Sequence, residues 1–130
     1  MIDEWGPAAW KFLHTVTFNY PEHPTRKDKE NYGAFFRALG PVLPCVKCRV
    51  HFAEHFKQYP IDLKDRESLA RWLVQVHNAV NRAGGKNEYT FEEAQALYSS
   101  SRGKKCMHPA VPWLLVGALI LFLLKVNSRR

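Results

Sequence analysis

Residues 44–56 read Pro44-Cys45-Val46-Lys47-Cys48-Arg49-Val50-His51-Phe52-Ala53-Glu54-His55-Phe56. Val46, Val50, Ala53 and Phe56 recur at spacings of three and four, the period of a helix. Pro44 suits the start of that helix, where no backbone donor is needed. Cys45 and Cys48 then lie on consecutive turns at its N-terminus, where unpaired N–H groups and the helix dipole favour a thiolate. Lys47 and Arg49 add positive charge. This is the setting of a redox-active dithiol rather than of a structural staple. It also decides the fold class. A thioredoxin-type site needs a strand before its CxxC, within a βαβ pattern. The residues before Pro44 read instead as a helix and a proline-rich turn.

Upstream, residues 5–20 form a first predicted helix, opened by Pro7 and ended by Pro21. Trp10, Leu13, His14 and Thr17 share one stripe of it, and Trp10 and His14 are surface neighbours four apart. A second helix spans Asp28 to Leu39, with Tyr32, Phe35, Phe36 and Leu39 on its apolar face and Gly40-Pro41 as its stop. The CxxC helix runs to about Tyr59. Downstream, Asp65 caps a fourth helix whose stripe is Leu69, Trp72, Leu73, Val76 and Val80, ending at Gly84-Gly85. His77 and Asn81 lie four apart beside that stripe, and buried polar groups of this kind need partners. Thr90-Phe91-Glu92-Glu93 is a capping box that opens a short fifth helix to about Tyr98. No segment alternates long enough to be a strand. The reading is all-α: a small four-helix bundle with a short fifth helix over residues 1–98.

Residues 99–109 form a basic linker that carries Cys106, and 110–126 are almost wholly apolar. The uncharged run from Ala110 to Leu124 would span roughly 23 Å as a helix, with Trp113 at one interface and Lys125 snorkelling at the other. The expectation is a C-terminal transmembrane helix.

The formal net charge of +7 divides unevenly. Residues 1–100 carry 13 Lys/Arg against 12 Asp/Glu, whereas residues 101–130 carry six basic residues and no acid. A nucleic-acid binder concentrates basic charge on its folded face, so nucleic acid is not the expected partner. No basic-then-apolar leader follows Met1, which sets the expectation of no signal peptide. Three cysteines do not make a secreted disulfide framework, and in a reducing compartment a CxxC is catalytic or metal-binding.

Metal binding is the competing chemistry. Cys45, Cys48, His51 and His55 fall on one stripe, but they spread over ~15 Å of helix axis. One tetrahedral ion with ligands at ~2.0–2.3 Å does not collect all four from a straight helix. Two or three of them with a ligand from elsewhere stay open as a zinc-binding or interaction module tethered to a membrane.

The motifs in register resemble those of the Erv/Alr family of FAD-linked sulfhydryl oxidases. They are Gly6-x3-Trp10-x2-Leu13-His14-Thr15, Tyr20-Pro21, Pro44-Cys45-x2-Cys48, and Trp72-Leu73-x3-His77-Asn78-x-Val80-Asn81 followed by Gly85-Lys86. The resemblance covers residue 5 to about residue 98. It implies a helical bundle holding FAD, usually as a homodimer. By position, Gly6, Trp10, His14 and Tyr20 would line the flavin site from the first helix. His77, Asn78, Val80, Asn81 and Lys86 would hold the isoalloxazine and adenine portions. Cys48 would be the flavin-proximal thiol and Cys45 the one that exchanges with protein dithiols. The implied activity is a thiol oxidase that forms disulfide bonds in protein substrates. Electrons pass through the CxxC pair and FAD to oxygen, giving hydrogen peroxide. No metal is implied.

Family members often carry a shuttle cysteine pair, and here only Cys106 remains for that role, or a thioredoxin-like relay protein reaches Cys45 directly. Pro7 stands where a basic residue is frequent. The compact, tailed form resembles versions from large cytoplasmic DNA viruses. That implies a membrane-anchored enzyme with its catalytic body facing the cytosol, in a virion or on a host internal membrane.

Overall fold

The structure, a computed structural model, describes residues 2–99, with side chains from residue 4 onward. The remainder of the expected linker with Cys106, and the expected transmembrane segment 110–126, lie outside the described residues. Among the described residues no helix is long and apolar enough to cross a membrane. Five helices follow one another: α1 Ile2–Phe18, α2 Arg26–Val42, α3 Val46–Gln58, α4 Arg66–Ala83 and the short α5 Phe91–Tyr98. The all-α expectation of four main helices and a short fifth holds.

Local chemistry sets most boundaries. Asp65 caps α4 by accepting a hydrogen bond from the Ser68 N–H at 2.8 Å. Thr90 and Glu93 form the expected capping box of α5. A second box, Thr25 with Asp28, starts α2 at Arg26, ahead of the expected Asp28.

Three expectations need correction. First, α1 begins at Ile2, so Pro7 lies inside it rather than opening it. The bond Pro7 cannot donate would fall near the helix end, where an unpaired carbonyl is cheapest to leave to water. Second, Gly40-Pro41 does not stop α2, which continues to Val42. Tertiary packing overrides the local stop signal. Gly40 is buried, and a Cβ there would stand 2.9 Å from Cδ1 of Phe52. Its lack of a side chain lets α2 and α3 approach. Gly40→Ala should therefore destabilise the fold by ~1–3 kcal/mol, the usual range for overpacking. Thermal or urea unfolding of the variant checks this, and an unchanged midpoint would mean the Phe52 ring yields freely.

Third, the stripe that identified α3 is not its core face. Val46 and Val50 are 70% and 53% exposed, and Ala53 is exposed too. Phe52, 8% exposed, is the residue α3 sends into the core, with Phe56 beside it.

The core is built around α4, which packs against α1, α3 and α5. Leu69, Leu73, Val76 and Trp72 of α4 are 2% exposed or less. They meet Leu13 and Tyr20 from the α1 side, and Phe36 and Phe52 from the α2/α3 side. Full burial of each large apolar side chain is worth ~1.5–3 kcal/mol. Trp72 crosses Phe36 and Phe56 edge-on, and its indole N–H donates to the Tyr59 carbonyl at 2.8 Å. That bond ties the end of α3 to the middle of α4. Arg66 ties the other end: its Nε donates to the Tyr20 carbonyl, and it pairs with Glu22 at 2.6 Å. α3, packed on α2 and α4, carries the dithiol at its start.

Candidate active site

Cys45 is the N-cap of α3, and Cys48 is the third residue of the helix. The N–H of Cys48 donates to the Cys45 sulfur at 3.2 Å. Both thiols are free and partly exposed. Their acidities part company. Hydrogen bonds from the Cys48 side chain and then its N–H hold the Cys45 thiol below its ordinary value, and Lys47 adds to this. Burial pushes the Cys48 thiol up, and the neighbouring Cys45 pushes it further. The helix start thus favours a thiolate at Cys45 only; at Cys48 desolvation wins. Of the reduced pair, Cys45 is therefore the thiol that gives up its proton first.

Cys48, but not Cys45, faces an apolar cleft of about 320 Å³ between α1, α3, α4 and the end of α2. Its walls include Trp10, Leu13, Leu39, Phe52 and Val80. His51 and His55 extend the Cys48 stripe along α3 into the same cleft. The Nδ1 of His55 is buried with no partner among the described residues. A second cleft of about 400 Å³ adjoins the first and shares Gly6, Trp10, Val80 and Gly84 with it. This one is the more polar of the two, with His77, Asn81 and Lys86, and is lined also by Tyr89 and Tyr98. Together they make a bipartite groove, apolar beside Cys48 and polar beside Lys86.

A stack of rings forms the shared wall. Trp10 lies flat on His77, with centroids 3.9 Å apart, and His14 lies flat on Tyr98 at 4.3 Å. The two histidines meet ring nitrogen to ring nitrogen, His14 Nε2 to His77 Nδ1, at 3.0 Å. One donates and the other accepts, so the accepting ring must be neutral. Burial first, and His77 second, lowers the His14 pKa to about 3. Burial and then Lys86 lowers that of His77 to about 4.

The structure brings together Gly6, Trp10, Cys48, His77, Val80, Asn81 and Lys86 of the expected site residues. His14 stands directly behind them, fully buried, through its bond to His77. Two others sit elsewhere. Tyr20 is wholly buried in the core and donates its hydroxyl to the Leu63 carbonyl at 3.2 Å, away from both clefts. Asn78 spends its amide on the backbone of Tyr89, donating to the carbonyl and accepting from the N–H at 2.8 and 2.9 Å. It holds the 84–90 loop, and with it Lys86, against α4. His51, His55, Leu39 and Tyr98 are cleft residues the sequence reading did not assign. For the histidines the signal was present, since residues 48, 51 and 55 share a helix face. For Leu39 and Tyr98 it was not, because only the packing of separate helices brings them there. The zinc alternative finds no support in the geometry: among the described residues no group of three His, Cys, Asp or Glu side chains is placed to hold a metal ion.

A model of the Erv1/Alr family matches residues 7–99. A protein of Acanthamoeba polyphaga mimivirus named "Probable FAD-linked sulfhydryl oxidase" is 40% identical over 107 residues, covering 79% of this chain and 75% of that one. The FAD-linked sulfhydryl oxidase ERV1 of Arabidopsis thaliana is 37% identical over 96 residues, 74% of this chain and 50% of the plant protein. The chain therefore spans three quarters of the viral relative and half of the plant one. Among solved structures, the yeast Erv1 core superposes with a TM-score of 0.74 at 25% identity, covering 78% of this chain and 86% of that one. With the family model matched from residue 7 to 99 and the viral relative matched over most of its length, the chain belongs to the Erv1/Alr family.

Proposed function

We propose that the protein is an FAD-dependent thiol oxidase that makes disulfide bonds in protein substrates. The observation that carries this reading is that Cys48 alone of the dithiol faces the apolar cleft, while Cys45 caps the helix. The groove fits the cofactor. Its apolar half takes a flat ring system against Trp10, Leu13 and Phe52, and the unpartnered His55 Nδ1 offers a polar contact there. Its polar half places the Lys86 ammonium where a diphosphate would need a cation, beside His77 and Asn81. Cleft volumes of this size are ordinary for cofactor sites.

When bound, FAD supplies the two-electron oxidation and its return to oxygen. The chain's own residues do the thiol chemistry. A substrate thiolate attacks the Cys45 sulfur of the Cys45–Cys48 disulfide, and the Cys48 sulfur leaves. The second substrate thiolate then displaces Cys45 and completes the substrate disulfide. The low pKa of Cys45 speeds that second step, because a more acidic thiol is the better leaving group. Cys48 takes up a proton readily, since burial disfavours its anion. Gly6 and Val80 set the width of the groove, and the His14–His77 pair fixes the ring wall that Trp10 covers.

A homodimer, a membrane tether through residues 110–126, and a relay role for Cys106 or a thioredoxin-like partner complete the proposal. Their support is the sequence resemblance and the uncharged apolar run. With that tether the body faces the cytosol. The purified protein should be yellow and should consume oxygen when given dithiothreitol. A colourless protein that neither takes up FAD nor consumes oxygen would end the proposal.

A further inference from the structure

The helix pair that carries the dithiol has a charge pattern of its own. Residues 1–100 are nearly balanced, yet residues 31–58 hold four Lys/Arg and one acid, Glu54. Three of those cations, Arg37, Arg49 and Lys57, rim a groove of about 340 Å³ between α2 and α3. Its floor is aromatic: Phe36, Phe52 and Phe56. The cations elsewhere that form ion pairs do so with nearby carboxylates, as Arg66 does with Glu22 and Arg82 with Glu88. None of the three rim cations pairs with a carboxylate among the described residues. Arg49 is fixed in place by donating its Nε to the Leu43 carbonyl at 2.6 Å. The groove lies on the flank of α3 next to the Cys48 cleft, with Phe52 forming part of both. It ends within one helical turn of Cys45, since the Arg49 N–H donates to the Cys45 carbonyl at 3.1 Å. Beside that end, Val42 and Val46 are each 70% exposed.

An apolar floor with an unneutralised basic rim selects a segment that is apolar on one side and acidic at its edges. We propose that the α2/α3 groove docks an acidic, apolar-anchored segment of the protein substrate, so that the adjoining cysteines meet Cys45. This rests on the thiol-oxidase reading of the dithiol. The two grooves adjoin through Phe52, which lines both, but Arg49, Ala53 and Lys57 line the docking groove alone, and Cys48, His51 and His55 the cofactor side alone.

The test uses the full-length, flavin-loaded protein and two synthetic peptides. Each carries the same CxxC core with a leucine and a phenylalanine; one is flanked by Asp and Glu, the other by Lys. The acidic peptide should show a KM lower by about tenfold, and rising salt should shrink the difference. The double variant Arg37→Glu/Lys57→Glu should abolish or invert the preference, and Ala53→Glu, from an exposed groove position, should weaken the acidic peptide by itself. Both should oxidise dithiothreitol at the parental rate, which shows that fold and dithiol are intact. Equal KM values for the two peptides, or a preference that survives the double charge reversal, would overturn the proposal. Fluorescence anisotropy with an acidic peptide whose cysteines are replaced by serine separates this from the enzymatic reading. Binding that the double reversal removes, in a protein that oxidises no thiol at all, would sustain the groove and sink the oxidase.

Discussion

Cys48→Ala should retain FAD at the parental level and lose dithiol oxidation on the order of a thousandfold or more, the scale of removing one member of a unit that acts together. The cleft walls around residue 48 come from α1, α2, α3 and α4, and the variant removes one sulfur from a lining of aromatic and aliphatic side chains. Cofactor binding therefore has no reason to fail. Turnover does, because no internal disulfide can form. Cys45→Ser should lose turnover to the same degree, and serine is the right replacement there. Its oxygen keeps the cap on the N–H of residue 48, whereas alanine would add a capping loss of ~1 kcal/mol to the chemical defect. A second readout distinguishes the two thiols. The largest influence lowering the Cys45 pKa is the hydrogen bond from the Cys48 side chain. In Cys48→Ala the alkylation of Cys45 by iodoacetamide should move to higher pH. In Cys45→Ser the remaining Cys48 thiol should react slowly at neutral pH, since burial alone keeps it protonated. If either variant oxidised dithiothreitol at near-parental rates, the redox assignment would be wrong. If both thiols alkylated with one pH profile, the division of labour between them would be.

How far residues alone reveal such a site depends on how local its causes are. The capping residues Asp65 and Thr90 act within four residues, and both were legible in advance. The period of α3 was legible as well, but its core face was not. Val46 and Val50 recur at helical spacing because that face is apolar, yet they point outward beside the dithiol. Phe52 is the residue that enters the core. Periodicity detects a stripe and carries no information about what covers it. Gly40-Pro41 misled for a related reason. The pair signals a helix end when only the chain's own bonds count, and here the contact with Phe52 decides what stands at Gly40. Tyr20 stands in the core with its hydroxyl on the Leu63 carbonyl, 43 positions away, a placement that its position after α1 did not disclose. Neighbours 63 positions apart in sequence, such as His14 and His77, become partners only when α1 lies on α4. The sequence marks each as a polar residue on an inner stripe, and only the fold supplies the answer that each is the other's partner.

That pairing makes acid the second large effect. Lowering the pH from 7 to about 4.5 should destabilise the protein by roughly 2.5 kcal/mol for each of His14 and His77, against total stabilities of ~5–15 kcal/mol for a domain. The sign follows from the direction of the shifts. Both folded-state pKa values, about 3 and about 4, lie below the ordinary value of 6.5. As pH falls below 6.5 the unfolded chain binds protons that the folded chain refuses. The stability conferred by neutral imidazoles is thus complete above that pH and is lost progressively as pH drops towards the folded values. The lowered carboxylates Asp28, Asp65 and Glu88 add their losses only nearer to pH 4 and below. His55, also lowered by burial, contributes in the same window as the pair. Urea unfolding of the flavin-loaded protein between pH 7 and 4.5 should show a steep fall. In the double variant His14→Phe/His77→Leu the fall should shrink to the part that His55 supplies. Should that variant not fold, proton NMR of the parent decides the matter, because neither imidazole should titrate between pH 7 and 5. FAD should be released as stability falls, since the ring wall under Trp10 exists only in the folded bundle. A parent whose two imidazoles titrate near 6.5, with flavin retained to pH 4.5, would mean that the buried pair is not the wall of the site.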